Sequence, residues 1–579
     1  MRSSLRAPAL PSLNDNEAVS WWADLALLSL IALLAAFMAY GVEQMNQPLG
    51  TLVSSPLSLD LAHLPAYALR TTLRMFIALF ASLVFSLVVA TLAAKSRKAA
   101  LVILPALDIL QSVPVLGFLT FTVVFFMGLF PGKETGVECA AIFALFTSQV
   151  WNMTFSFYQS LRTVPHDLQE VSRQFALSPW QRFVRLELPF ATPGLVWNMM
   201  MSMSGGWFFV VASEAITVGG TTVSLPGIGS WLALAIERKN TAAIAWAVLA
   251  MVVVIILYDL LFFRPIVAWA DRFRFEQTAS RKRPRSRVYD LLRSTRLVPW
   301  ALRVLEDLMA LLPLARLGRL ARVRFKTGPR FDRLADLAWK ALVAIACGVG
   351  AVQLWQFIGS TLGLDEVIAT FGLGLVTLVR VVVLILLASA VWVPIGVWIG
   401  LNPRWAQRLQ PIAQLLAAFP ANVLFPLAVI AIVALKLNPD VWLSPLMVLG
   451  TQWYILFNVI AGASALPTDL REAARSFHVR GWQWWRRVAL PGVFPYYVTG
   501  ALTAAGGSWN ASIVAEAVSW GDTHLYASGL GAFIAHATTA GDFQRVALGV
   551  SVMAMFVVGF NRLLWRPLYD YAERRLRID

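Results

Sequence analysis

Four ionisable side chains recur in register inside apolar stretches of this chain, as two matched pairs. Glu214 and Glu516 are 302 residues apart; Arg74 and Arg380 are 306 apart. A charge at such depth is costly, so each needs a partner or a role. Both types sit toward the same ends of their segments, and we expect Arg74 to pair with Glu214 and Arg380 with Glu516. The alternatives face the arginines into a pathway, where they would bind an anion, or let them snorkel toward headgroups. Trp207 and Trp509 stand beside glycines in the segments that carry the glutamates. Helix packing is their expected use, with lining of a path as the alternative.

Other candidate chemistry is sparse. Gly128-Leu-Phe-Pro-Gly132-Lys133-Glu134 approaches a nucleotide-binding loop, but is one residue short and lacks the final Ser or Thr. His63, His166, His478, His524 and His536 show no ligand spacing, so no metal site is expected. Cys139 and Cys347 lie far apart in apolar runs and read as small core residues. With no polar catalytic cluster and no bound cofactor implied, an integral-membrane enzyme is disfavoured.

The chain must position these residues twice, because it contains itself twice. At an offset of 302, Pro165 falls on Pro467, Asp167 on Asp469, Glu170 on Glu472, Trp207 on Trp509 and Arg264-Pro265 on Arg566-Pro567. From Pro165 to Pro189, 11 of 25 positions are identical to their partners. A unit this long is a duplicated domain rather than a solenoid repeat. Two like halves around a pseudo-symmetric interface are the usual setting for a transport path.

The composition is 58% hydrophobic and 14% charged, which makes the bilayer the main solvent. Apolar runs long enough to span recur about twelve times. They lie near 22–41, 71–94, 101–130, 137–160, 192–214 and 243–263, then 337–358, 376–400, 410–435, 441–463, 494–516 and 546–564. Helices are expected, since an isolated strand in lipid would leave backbone groups unpaired. The fold class is thus an all-α polytopic membrane protein, with six spans in each half. We divide it into a tail (1–21), a first membrane domain (22–265), a linker (266–336), a second membrane domain (337–567) and a tail (568–579).

Lys and Arg set the orientation. Lys95, Arg97, Lys98, Arg404 and Arg408 follow the second span of each half, and basic clusters follow the fourth, so these loops and both termini are expected in the cytoplasm. Arg238 and Lys239 dissent, because they fall in an expected outer loop. Between 271 and 335 there are 17 Lys plus Arg against 6 Asp plus Glu. This linker suits amphipathic helices lying on anionic lipid headgroups, with a flexible tether as the alternative. No nucleic-acid recognition motif accompanies the net charge of +16.

The loops after the fourth spans carry the most specific local signal. The second runs from Leu466 through Asp469, Glu472, Ala473 and Ala474 to Leu490-Pro491. Asp469 is placed to cap a short helix, with Glu472 three residues later. The two alanines let another surface approach closely, and Leu490-Pro491 should break the run before the next span. Such a helix, present twice, reads as a docking element.

These residues resemble the EAA loop of ABC importer membrane subunits. In that family the loop forms a coupling helix that seats in a cleft of a cytoplasmic ATPase. Gly205-Gly206-Trp207, Glu214-Ala215 and Gly227-Ile228-Gly229, repeated as Gly507-Ser508-Trp509, Glu516-Ala517 and Gly529-Leu530-Gly531, are similar to the nitrate/sulfonate/taurine branch. The resemblance implies a type I importer-like fold in a bacterial cytoplasmic membrane. It also implies two ATPase subunits, which would bind the ATP, and an extracytoplasmic binding protein. The coupling residues would be Asp167, Glu170, Val171, Ser172 and Ala176, and Asp469, Glu472, Ala473, Ala474 and His478. Val171 and Ser172 depart from the two alanines, and Ala176 and His478 stand where the family usually has glycine, so the two docking sites should differ. The expected function is a fused permease that carries a small solute such as nitrate, a sulfonate, taurine or bicarbonate by alternating access. The alternative is a secondary transporter or channel that needs no ATP.

Overall fold

The computed structural model describes residues 57–273, 286–293 and 329–575, apart from 113–114, 219–220, 420, 465 and 467, with a few isolated positions besides. The expected first span (22–41), apart from scattered positions, and most of the linker (266–336) lie outside the described residues; of the linker, 266–273, 286–293, 295 and 329–336 are described, the last as the start of α9.

The first half consists of α1 (Leu64–Lys95), α2 (Arg97–Ser112), α3 (Val115–Leu129), α4 (Glu134–Arg162), the short α5 (His166–Gln174), α6 (Leu188–Glu214), a hairpin of β1 (Ala215–Val218) and β2 (Thr221–Ser224), α7 (Ile228–Glu237) and α8 (Thr241–Tyr258). The second contains α9 (Pro329–Gly359), α10 (Leu364–Leu401), α11 (Pro403–Ala418), α12 (Phe425–Ala434), α13 (Gln452–Ser464), the short α14 (Thr468–Ser476), α15 (Leu490–Ala515), β3 (Ala517–Trp520) and β4 (Thr523–Tyr526), α16 (Leu530–Ala540), α17 (Phe543–Phe560) and α18 (Arg566–Arg575). From α5 to the end of α8 the starting residues of successive elements recur 302 residues later, so the repeat read in the sequence is a repeat of structure.

Apolar length accounts for the spans: about 20 residues of helix cross a hydrocarbon core. Among the described residues, seven helical stretches are long and apolar enough to cross a membrane, or up to eight if one bent pair is a single span. α4 is 29 residues long but carries buried Glu134, Glu138 and Gln149, which lower its hydropathy. Its counterpart is broken. Pro439–Leu449 and Gln452–Ser464 meet at a bend of 44°, in a stretch where Pro439 and Pro445 each lack a backbone N–H. The expected run 410–435 is likewise divided between two helices, and 101–130 is covered by α2 and α3, with 113–114 outside the described residues.

Three local expectations change. Asp469 lies inside the first turn of α14, and its equivalent Asp167 follows the N-cap Pro165, which makes no side-chain cap bond. These carboxylates act on the helix dipole rather than as caps. Leu188-Pro189 and Leu490-Pro491 do not break the chain. Each follows a π-helical turn (Phe183–Glu187, Trp485–Ala489), and the helix runs through, because the wider turn before each proline takes up the place of its missing backbone N–H. Cys347 is on the exposed face of α9, while Cys139 is partly buried. The antiparallel hairpins β1–β2 and β3–β4 are additions to the all-helical expectation.

Candidate functional site

Each half buries a charge cluster at its hairpin end. Arg74 Nη1 is 2.7 Å from Glu214 Oε1, and both side chains are fully buried. Glu138 holds the other side of the guanidinium, with Arg74 Nε 2.5 Å from its Oε2. Arg70 joins through Glu138 at 3.1 Å and through Glu134. In the second half Arg380 reaches Glu516 at 3.0 Å and Asp440 at 3.0 Å. Glu138 and Asp440 are themselves equivalent at the 302-residue offset, a match in apolar runs that a search for paired acids would have found. Arg70 and Glu134 have Val376 and Lys436 in the equivalent positions, so their pair exists once.

The glutamates also terminate helices. α7 starts after Gly227, which has no side chain to cap it. Gly229 N–H donates to Glu214 Oε2 at 2.7 Å, and Ile228 N–H donates to Thr71 Oγ1 at 2.9 Å. In the second half Ala532 N–H donates to Glu516 Oε2 at 3.2 Å and Leu530 N–H to Thr377 Oγ1 at 2.9 Å. The exposed N–H groups and positive pole of a helix start suit a carboxylate. This accounts for the glycines: a Cβ on Gly227 or Gly529 would lie 2.2 Å from the glutamate oxygen.

Between the halves lies a cavity of about 2050 Å³. Its wall is built from equivalent faces of α4 and α6 and of α13 and α15, and it extends to Tyr158, Gln159 and Ser464, next to α5 and α14. Neither Arg74 and Glu214 nor Arg380 and Glu516 belong to its lining. Asn152 and Tyr454, equivalent at offset 302, meet across the interface through a side-chain hydrogen bond. Gly205 must be small here, because its Cβ would stand 2.9 Å from the Tyr454 hydroxyl. At the hairpin end Lys239 of the first half reaches Asp522, in the β3–β4 turn of the second, at 3.2 Å. That hydrogen bond holds Asp522 below the usual carboxylate range, and it gives the dissenting basic loop a partner.

The tryptophans differ. Trp207 is fully buried and donates its Nε1–H to the Tyr258 hydroxyl at 3.1 Å. Trp509 is buried against Phe556, with rings stacked at 6.2 Å, and borders the cavity.

At the opposite end from the hairpins, α5 and α14 present polar faces outward. Asp167, Glu170, Val171 and Ala176 are exposed, as are Asp469, Glu472, Ala473 and His478. Ser172 and Ala474 are buried beneath them. Ala176 and His478 have φ of 49° and 53°, the left-handed region that favours glycine. Two residues that the sequence reading passed over stand out: Phe175 is 75% exposed and Phe477 82%. They are identical in the repeat, which was the available signal.

Comparison with known proteins agrees with this arrangement. Residues 82–274 and 392–578 each match the family described as binding-protein-dependent transport system inner membrane component. The nitrate import permease protein NrtB of Leptolyngbya laminosa is 28% identical over 203 residues, 35% of this chain and 67% of the relative. The bicarbonate transport system permease protein CmpB of Synechococcus elongatus is 29% identical over 212 residues, 37% of this chain and 70% of the relative. The glycine betaine/proline betaine transport system permease protein ProW of Salmonella typhimurium is 30% identical over 198 residues, 34% of this chain and 53% of the relative. With two matched segments that together cover more than half its length, the chain belongs to the binding-protein-dependent transport system inner membrane component family, as a duplicated permease.

Proposed function

We propose that this chain is the complete permease pair of an ATP-driven importer, fused into one polypeptide, and that it moves a small anion of the nitrate or bicarbonate kind. The observation that carries the reading is the shared end of the molecule. There the central cavity approaches two equivalent short helices, each of which exposes an acidic residue, a basic residue and a phenylalanine. Two ATPase subunits would seat on α5 and α14 with Phe175 and Phe477 as apolar anchors, since an exposed aromatic of this size gains by being covered. That end would face the cytoplasm, with both termini, and the hairpin end would receive substrate from a binding protein outside a bacterial inner membrane.

The arrangement corresponds to an inward-facing state. ATP-driven closure of the ATPases would draw α5 and α14 together and rock the halves to open the hairpin end. The Arg74–Glu214 and Arg380–Glu516 clusters would keep each half rigid while it moves, because their hydrogen bonds are made within a half. The substrate class follows from the relatives named nitrate and bicarbonate permeases.

ATP-dependent uptake by proteoliposomes containing the chain and its ATPases tests the reading. Replacing both Glu170 and Glu472 by alanine should weaken ATPase association and abolish uptake. Uptake that survives the double change, or that needs no ATP, would contradict it.

A further inference from the structure

The two halves differ in side-chain chemistry where α8 and α17 end. Each continues through a π-helical turn, Asp259–Phe263 in the first half and Asn561–Trp565 in the second. Such turns are rare and concentrate at functional sites. In the first half the turn is self-contained. Asp259 Oδ2 pairs with Arg264 Nε at 2.8 Å, Leu260 and Phe263 carry no polar group, and none of the four lines the cavity.

The equivalent residues of the second half are Asn561, Arg562, Trp565 and Arg566, and all four line the cavity. Asn561 replaces the carboxylate that would neutralise Arg566, and Arg562 adds a second cation in place of a leucine. Trp565 is 5% exposed, and its Nε1–H has no acceptor among the described residues. A second unpartnered indole lies one helix away. Phe560 replaces Tyr258, so the Trp509 Nε1–H lacks the hydroxyl that Trp207 has. A buried donor left without a partner is costly, and this wall collects donors where its twin balances them. Arg97, Asp271 and Asp570 also line the cavity, which leaves three cations against two carboxylates in its lining.

We propose that the Asn561–Arg566 turn is the anion-holding wall of the cavity, so that the cargo rests against the second half alone. The inference rests on the anion-importer reading and deepens it: a fused chain is free to specialise one half, whereas a dimer of identical subunits must present the wall twice. Nitrate, bicarbonate or a sulfonate offers several acceptor oxygens and one delocalised charge, which suits two guanidinium groups and an amide on adjacent turns.

Equilibrium binding of nitrate, bicarbonate and methanesulfonate to the purified full-length chain tests it, read by tryptophan fluorescence and calorimetry. Asn561→Asp restores the carboxylate of the first half at almost unchanged volume, and Arg562→Leu restores its leucine at an exposed position. Each should weaken binding of the preferred anion about tenfold or more. Asp259→Asn, in the first half, should leave it unchanged. Wild-type affinity in both second-half variants overturns the wall while the importer reading stands. A wild-type chain that binds none of the three anions overturns the wall and the anion assignment together, with ATP-dependent uptake of another solute still open to measurement.

Discussion

Gly229 donates its backbone N–H to Glu214 Oε2 at 2.7 Å, so a buried glutamate near the end of α6 serves as the N-terminal cap of α7. The same device recurs between Glu516 and the start of α16, one residue further along, at Ala532. It ties three helices of each half together, because the glutamate also holds an arginine from α1 or α10.

The glycines that precede these helices should therefore tolerate no side chain. Gly227→Ala and Gly529→Ala each bring a Cβ to 2.2 Å from a carboxylate oxygen that is itself fixed by other bonds. Overpacking of this kind costs about 1–3 kcal/mol or more. Thermal melting in detergent should fall for both variants, whereas alanine at Gly128, where nothing lies within 4 Å, should melt like the parent.

Removing a partner from the charge cluster should be asymmetric between halves. Arg74→Met leaves Glu214 buried without its cation and Glu138 with Arg70 alone, and breaking such a buried pair costs about 3–5 kcal/mol. Arg380→Met should lose less, because Asp440 is 45% exposed and water can take the place of the guanidinium. Folded yield and detergent melting of the two variants check the order. Equal losses would contradict the asymmetry, and normal yield with anion transport abolished would argue that the arginines belong to the pathway.

The left-handed residues after α5 and α14 make a prediction of opposite sign. A non-glycine residue in this region costs roughly 1–2 kcal/mol, which glycine avoids. His478→Gly and Ala176→Gly should each raise the melting temperature of the permease or leave it no lower. A fall would mean that the side chain makes a compensating contact, which for His478 is limited to its ring Nδ1 near the Ser476 carbonyl at 3.1 Å.

Phe175 and Phe477 should matter for assembly and not for folding, since both are largely exposed. Phe477→Ala is expected to melt like the parent and to lose about tenfold or more in affinity for the ATPase, in the range of an interface anchor. Pull-down of the ATPase by each single and the double variant measures it, and also reveals whether the two docking sites are equivalent.

The duplication was plain in the sequence because identical residues recur at one offset, and with it came the two-half architecture and the pair of short polar helices α5 and α14. The juxtaposition of Arg74 with Glu214 could be reasoned from depth, since both lie toward the same ends of apolar runs. Glu138 and Asp440 went unread because only Arg74, Glu214, Arg380 and Glu516 were compared between the repeats, although both lie at the same offset. The hairpins were hidden for a physical reason: four-residue strands at the end of a long apolar helix present no separate alternation. The break between α11 and α12 was equally hard to see, because hydropathy is continuous across it while the chain passes through the 3-10 turn Ala421–Leu424. The glycine motif was recognised by likeness alone. Its cause, a carboxylate packed under the helix start, needs coordinates.

The most direct test of the central claim is what this chain holds when it is drawn from its native membrane. Affinity purification in mild detergent, with partners quantified by mass spectrometry, should yield two ATPase subunits for each copy of the chain. A chain that purifies alone, and still transports in proteoliposomes without ATP, would contradict the account and make it a self-sufficient transporter.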